Sequence, residues 1–292
     1  MIERVHFEKP LLKQLNAEGY KCVDMHCHTQ YSDTYTRISN ILKKCSRNGL
    51  GVAITDHNEI KGCLDAEKKN RKHNVLIIPG MEVSCLEGPH FLVYFHSTGE
   101  LKEYYDNVVK RNLIKNPHLT TTRLADLIES TEKYNCMISA AHPLNVSPWN
   151  LQKKIEKGRC DDSILRKIPC FEVINGLMAR KMNLKAMEWA RECDKCITGG
   201  SDSHTLKKMG SVVTCSKADD IDSFLKSILK KENIVVGKET KTGFRVISNM
   251  KSISKHTKYA GCSLKFHYDH RVKGKIKPKI MEKIENIKEK IL

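Results

Sequence analysis

Hydrophobic positions in this chain fall into short β-branched and aliphatic runs, separated by stretches where apolar residues recur every three or four positions. The runs predict strands at Lys21–His26, Gly51–His57, Val75–Ser84, Phe91–Phe95, Met137–His142, Phe171–Asn175, Cys196–Asp202 and Ser211–Cys215. The helical periodicity predicts helices at Ile38–Asn48, Leu64–His73, Thr122–Tyr134, Ala179–Asp194 and Asp220–Lys231. Strands spaced by helical stretches of roughly ten to fifteen residues read as successive βαβ units on a parallel sheet. The runs Val52–Thr55 and Val75–Ile78 are apolar without alternation, as expected of strands covered on both faces. Asn48-Gly49 and Pro79-Gly80 read as turns between elements, and no repeat of fixed period is visible.

After about residue 250 the pattern changes, so the chain divides into a 1–250 α/β domain and a 251–292 extension. Residues 251–277 are polar, basic and irregular; beyond Pro278, Ile280, Ile284, Ile287 and Ile291 recur at helical spacing and predict one short amphipathic helix. Charge sharpens this division. The chain carries 51 Lys/Arg against 34 Asp/Glu, a net of +17. The extension alone holds 12 basic and 4 acidic residues, a net of +8 in 42 positions. Such a field favours anionic partners: a phosphorylated small molecule or nucleotide, with nucleic acid as a further partner through the extension.

The 40% hydrophobic content excludes a mainly disordered chain. No apolar run approaches the roughly 18 residues that a membrane span requires, so no membrane partner is expected. The first 25 residues lack the apolar core of a signal peptide, which predicts a cytoplasmic protein. Its 12 cysteines are scattered and expected to stay reduced, including Cys193 and Cys196, the one Cys-x-x-Cys pair.

The informative residues stand at strand ends. Asp24-Met25-His26-Cys27-His28 closes the first strand; alternation puts His26 and His28 on one face, Asp24 with them, and turns Cys27 into the core. Asp33 follows in a polar loop. Asp56-His57, Glu82, His90, His142, and Asp202 with His204 close or open the later strands. In a parallel α/β fold the carboxyl ends of the strands share one face, so nine candidate ligands converge: His26, His28, Asp33, His57, Glu82, His90, His142, Asp202 and His204. Burying so many ionisable groups without a cation is costly. Imidazole and carboxylate without thiolate suit Mn, Zn or Fe, and nine ligands fit two or three divalent ions. Asp24 and Asp56 precede ligands and are expected to orient imidazoles. Arg180, just after a strand end, is expected to grip phosphate; His96, Arg37, Lys207 and Lys208 are weaker candidates, and His6, His73, His118 and His256 are assigned no role.

The segments DMHCHTQYSD, AITDHNEIKG, IIPGMEVS, PHFLVYF, AAHP, FEVING and GGSDSHTLKKMG follow in order the motifs of the polymerase and histidinol phosphatase (PHP) family, over roughly residues 21–240. The resemblance implies a distorted, TIM-like (β/α)7 barrel with a trinuclear site. By that pattern His26, His28, Glu82 and Asp202 hold one ion, Asp33, His57 and His204 a second, and Glu82, His90 and His142 a third. Two departures are visible. Thr34 follows Asp33 where the family usually has Gly, and only 51 residues separate His90 from His142, a short insertion that implies a small lid.

The expected reaction is hydrolysis of a phosphate ester, whether a phosphomonoester, a nucleotide or a nucleic-acid end, by water activated between cations. An amidohydrolase-type metal hydrolase is the nearest rival, against which Glu82 stands where that class often carries a modified Lys. A basic nucleic-acid-binding protein with a structural metal site is the other.

Overall fold

The computed structural model of the chain describes residues 2–146, 149–158, 160–240, 243 and 257–273. Among these residues ten strands form one sheet: β1 (Val5–His6), β2 (Lys21–Cys27), β3 (Leu50–Ile54), β4 (Ile77–Ser84), β5 (His90–Phe95), β6 (Cys136–Ala140), β7 (Cys170–Asn175), β8 (Cys196–Gly200), β9 (Val212–Ser216) and β10 (Ile234–Gly237). Their order is β1-β10-β9-β2-β3-β4-β5-β6-β7-β8. The predicted parallel sheet is only partly realised. β2, β3 and β4 run parallel, as do β6, β7 and β8, but β5 runs antiparallel between the two sets. Residues 85–89 are too few for a crossover, so β4 and β5 can only form a hairpin. β9 is antiparallel to both β2 and β10.

Pro79-Gly80 lies inside β4 rather than at a turn. Pro79 pairs with β3, and β5 joins β4 only from Gly80 onward, so the missing proline N–H falls outside the hairpin ladder.

The sheet curls into a distorted barrel whose seam is sealed at one end. The carbonyl of His26 accepts from Asp202 N at 2.8 Å, and His28 N donates to the Ser203 carbonyl at 3.4 Å. At the other end β9 pairs with the start of β2 instead, Lys21 opposite Ser216. Gly200 makes the seam possible: a Cβ there would stand 2.4 Å from His26 N and 2.8 Å from its Cα. Gly200→Ala should push β2 and β8 apart, destabilising the fold by about 1–3 kcal/mol. A denaturation midpoint equal to wild type would refute this close-packed seam.

Among the described residues, the helices α1 (Leu12–Ala17), α2 (Ile38–Asn48), α3 (Lys61–Asn70), α4 (Thr98–Tyr104), α5 (Leu124–Thr131), α6 (Leu151–Glu156), α7 (Ser163–Lys167), α8 (Arg180–Glu192) and α9 (Ile221–Leu229) belong to the same unit. α2 illustrates the rule: Ile38, Ile41, Leu42 and Cys45 make one buried stripe, and Gly49 ends the helix at a left-handed φ of 59°. The sheet has an apolar cluster on each face. Val52 and Ile54 pack with Ile41, Leu127 and Trp189 on one side; Ala53 packs with Met25, Ile78, Tyr94 and Phe224 on the other.

A separate unit begins at His256 and contains the helix Ala260–His267, within a stretch whose sequence reads as irregular. Gly261 and Ser263 inside it weaken its propensity signal. The helix predicted through Ile280–Ile291 lies outside the described residues, as does His256.

Cysteine usage also departs from expectation. Cys22 on β2 and Cys215 on β9 are directly opposed, with Cα atoms 4.1 Å apart, and form a disulfide. Their separation of 193 residues hides this pairing from the sequence. The other ten cysteines, Cys193 and Cys196 among them, are free.

Candidate metal centre

Two irregularities aim the site. On β2, Met25 and His26 together oppose Ala53, since Asp24 pairs with Val52 and Cys27 with Ile54. This bulge breaks strict alternation: His26 and His28 turn toward the sealed end of the barrel, Asp24 faces away from them, and Cys27 joins the outer core. On β7, Glu172 pairs with Thr198 and Ile174 with Gly199, so Val173 is the extra residue. Glu172 and Asn175, three apart, thereby reach the same neighbours.

All nine predicted ligands come together. Glu82, fully buried, is the hub. Its Oε2 stands 3.3 Å from the Nε2 atoms of His26 and His28 and 3.0 Å from His57 Nδ1. Its Oε1 faces His90 Nδ1 at 2.9 Å and His142 Nε2 at 3.1 Å. Asp202 Oδ1 approaches His28 Nε2 at 3.1 Å and His26 Nε2 at 3.6 Å. Asp33 lies 2.6 Å from His204 Nε2, 3.7 Å from His28 Nδ1 and 3.9 Å from His57 Nε2. His142 and Asp202 hold left-handed backbones, φ 30° and 49°, a strain that residues with side chains adopt only where surroundings enforce it.

The donor set fits divalent cations. Glu82 Oε2, His28 Nδ1 and His57 Nδ1 are buried without a hydrogen-bond partner, although Glu82 Oε2 has three ring nitrogens within 3.3 Å. Atoms that close but unaligned converge on shared points in space rather than on one another, as ligand lone pairs do. Among the described residues, four overlapping groups of three have their donor atoms within 4.8 Å of one another, among them His26 with His28 and Glu82, and His57 with Glu82 and His90.

The charges are mutually dependent. Burial alone would raise the Glu82 carboxyl, but His57, His26 and His90 outweigh it and hold it well below the usual range. Burial would likewise depress His57 and His204; Glu82 raises the first to about 9, and Asp33 the second to about 9. At His90 burial wins and the imidazole falls to about 4.

The three residues expected to assist are placed differently from the reading of the sequence. Asp24 accepts from Ser201 N at 2.8 Å, Ser201 Oγ at 2.6 Å and Gly210 N at 2.7 Å. Asp56 accepts from Thr29 N, Thr29 Oγ1 and Ser32 Oγ at 2.6–2.7 Å. Both brace the loops that carry Asp202 and Asp33 instead of touching imidazoles, because the β2 bulge turns Asp24 away and Asp56 points back toward Thr29. Arg180 forks onto Glu239 and lies 4.4 Å over the Phe7 ring, so its guanidinium is already engaged. His96 pairs with Asp222.

Three residues near the site escaped the sequence reading. Glu172 Oε1 meets His26 Nδ1 at 2.9 Å, and Asn175 Nδ2 meets Asp202 Oδ2 at 3.1 Å. FEVING marked their strand, but only the β7 bulge brings both to the ligands. His118, from the insertion after β5, has its ring centroid 5.6 Å from that of His57. Asn58 holds that loop by donating to the Pro117 carbonyl at 3.0 Å.

Among the described residues no helix is long and apolar enough to cross a membrane. Comparison with known proteins supplies the family. The PHP domain model matches residues 24–235. An uncharacterized protein of Methanocaldococcus jannaschii is 35% identical over 77 residues, 22% of this chain and 45% of its own length. The PolC-type DNA polymerase III of Streptococcus pneumoniae is 32% identical over 104 residues, 35% of this chain but 7% of the polymerase. The chain thus spans under half of the first relative and a small part of the second. Among solved structures, the lesion-specific endonuclease Q of Pyrococcus furiosus shares the fold, with a TM-score of 0.56 at 18% identity over 74% of this chain and 57% of that one. With the family model spanning most of its length and every motif ligand gathered at one end of its barrel, the chain belongs to the PHP domain family.

Proposed function

We propose that the chain is a metal-dependent phosphoesterase that cleaves phosphate esters at the sealed end of the barrel. The observation that carries this reading is Glu82, a buried carboxylate facing five imidazoles with one oxygen left without a hydrogen bond. His26, His28, Glu82 and Asp202 would hold one cation, Asp33, His57 and His204 another, and Glu82, His90 and His142 a third, drawn from Mn, Zn or Fe. Such cations lower the pKa of water to near 7 and neutralise charge developing on phosphoryl oxygens. The protein's own part is to fix these donors. His204 donates through Nδ1 to the Asp202 carbonyl (2.9 Å), which leaves Nε2 toward Asp33. Lys44 pins the loop after His204 by donating to the carbonyls of Leu206 and Met209. Ten of the twelve cysteines are free, which favours a reducing, cytoplasmic setting despite the one disulfide at Cys22–Cys215.

A second feature favours a nucleic-acid strand as the substrate. A cavity of about 810 Å³ runs from the Lys207–Ser211 loop, three residues beyond His204, to α1 and α2. Pro10, Leu11, Leu12, Leu50 and Met209 supply apolar lining; Lys9, Lys13, Lys44, Lys207, Lys208 and Lys238 supply charge. Its one carboxylate, Glu239, is neutralised by Arg180. Lysines suit phosphates and the apolar wall suits bases.

Two assays test these readings together. With Mn2+ supplied, hydrolysis of p-nitrophenyl phosphate and of 5′-phosphorylated oligonucleotides should both be detectable, and loss of neither on chelation would overturn the metal reading. The combined variant Lys9→Glu, Lys13→Glu, Lys238→Glu should leave p-nitrophenyl phosphate turnover unchanged. Its binding of a labelled single strand in EDTA should weaken, with the salt slope reduced by about 2 for three lost phosphate contacts. An unaltered slope would reject the groove.

A further inference from the structure

We propose that Glu172 and Asn175 form a positioning bracket that presets three of the candidate ligands, His26, His142 and Asp202, for a cation. The inference rests on the reading of the His/Asp/Glu cluster as a metal centre and adds the residues that shape it.

Glu172 is 1% exposed and spends both oxygens on the site. Oε1 lies 2.9 Å from His26 Nδ1, and Oε2 accepts from His142 N at 2.7 Å and Asn175 Nδ2 at 2.9 Å. A carboxylate can only accept here, so the hydrogen of His26 must sit on Nδ1. Its Nε2, facing Glu82, His28 and Asp202, then presents a lone pair. The bond to His142 N holds a backbone whose φ of 30° needs such enforcement.

Asn175 extends the bracket. The same amide nitrogen donates to Glu172 and to Asp202 Oδ2, which leaves Asp202 Oδ1 toward His28 and His26. Asn183 on α8 clamps Asn175 in turn, accepting from its N–H at 3.2 Å and donating to its carbonyl at 3.1 Å. One bulged strand end thus sets a tautomer, a strained backbone and a carboxylate rotamer.

Glu172→Gln separates positioning from packing because it keeps size and shape. The Gln carbonyl can still accept from His142 and Asn175, but its NH2 would then face His26 Nδ1 and drive the hydrogen to Nε2. Mn2+ titration of the metal-free protein by calorimetry should show affinity reduced by about 10–100-fold, with the folded-state circular dichroism retained. Glu172→Asp, which restores an acceptor, should recover part of the affinity. Should Glu172→Gln fail to fold, Asn175→Ala, which removes only the amide, is read by the same titration. Mn2+ affinity equal to wild type in whichever variant folds overturns the bracket. Failure of the wild type itself to take up Mn2+ would instead overturn the metal-centre reading.

Discussion

Glu82→Gln should reduce phosphoester turnover by on the order of 10³-fold or more, the consequence of removing several kcal/mol of cation-based stabilisation. The substitution preserves volume, so the loss isolates charge. Among the described residues, only Glu82 pairs with all of His26, His28, His57, His90 and His142, each within 3.3 Å. A neutral amide there leaves five imidazoles, three of them buried, around an uncompensated centre. The metal-free variant should also melt earlier, by about 3–5 kcal/mol of lost stability, since breaking a buried charge cluster leaves its partners unpaired. The sign of the pH dependence follows. A carboxyl held well below its usual range stabilises the fold above its unfolded value and loses that contribution as pH falls toward the depressed one. The difference between wild type and variant should therefore persist at neutral pH and shrink in strong acid. Kinetics, metal content by mass spectrometry and melting curves read the three effects. Turnover within about tenfold of wild type would remove Glu82 from the centre of the mechanism.

Chelation should abolish turnover while the barrel stays folded, because its two apolar clusters form without the ligands. Returning Mn2+ at about 100 times its dissociation constant should restore activity and add about 2.7 kcal/mol of stability. Uptake should strengthen as pH rises. His57 and His204, raised from an ordinary value of 6.5 to about 9, hold protons at neutrality that a cation must displace. In the metal-free protein these imidazoles stabilise the fold fully below 6.5, and that contribution fades as pH passes 9. Proton release measured during Mn2+ titration in two buffers checks the coupling. Metal affinity independent of pH between 6 and about 9 would contradict it.

The candidate ligands were legible because strand ends are local. Each of His26, His57, Glu82, His142 and Asp202 stands at or just past a run of apolar residues, and a parallel α/β sheet sends such ends to one face. The helices with a buried stripe, such as α2, were equally plain, although α5 proved shorter than Thr122–Tyr134, spanning Leu124–Thr131. The antiparallel β5 was less so, since an apolar run does not state its direction. Arg180 was misjudged because its partner, Glu239, lies 59 positions away.

By itself, then, the sequence determined which residues gather as candidate ligands and roughly where most strands begin and end, as periodicity and side-chain type are properties of neighbours along the chain. Tertiary structure alone decided what stands behind them. The bulges in β2 and β7, the join of Cys22 to Cys215 and the reach of Glu172 to His26 each depend on register between distant strands. A single extra residue in a register reverses which face a side chain occupies, and no local pattern records it.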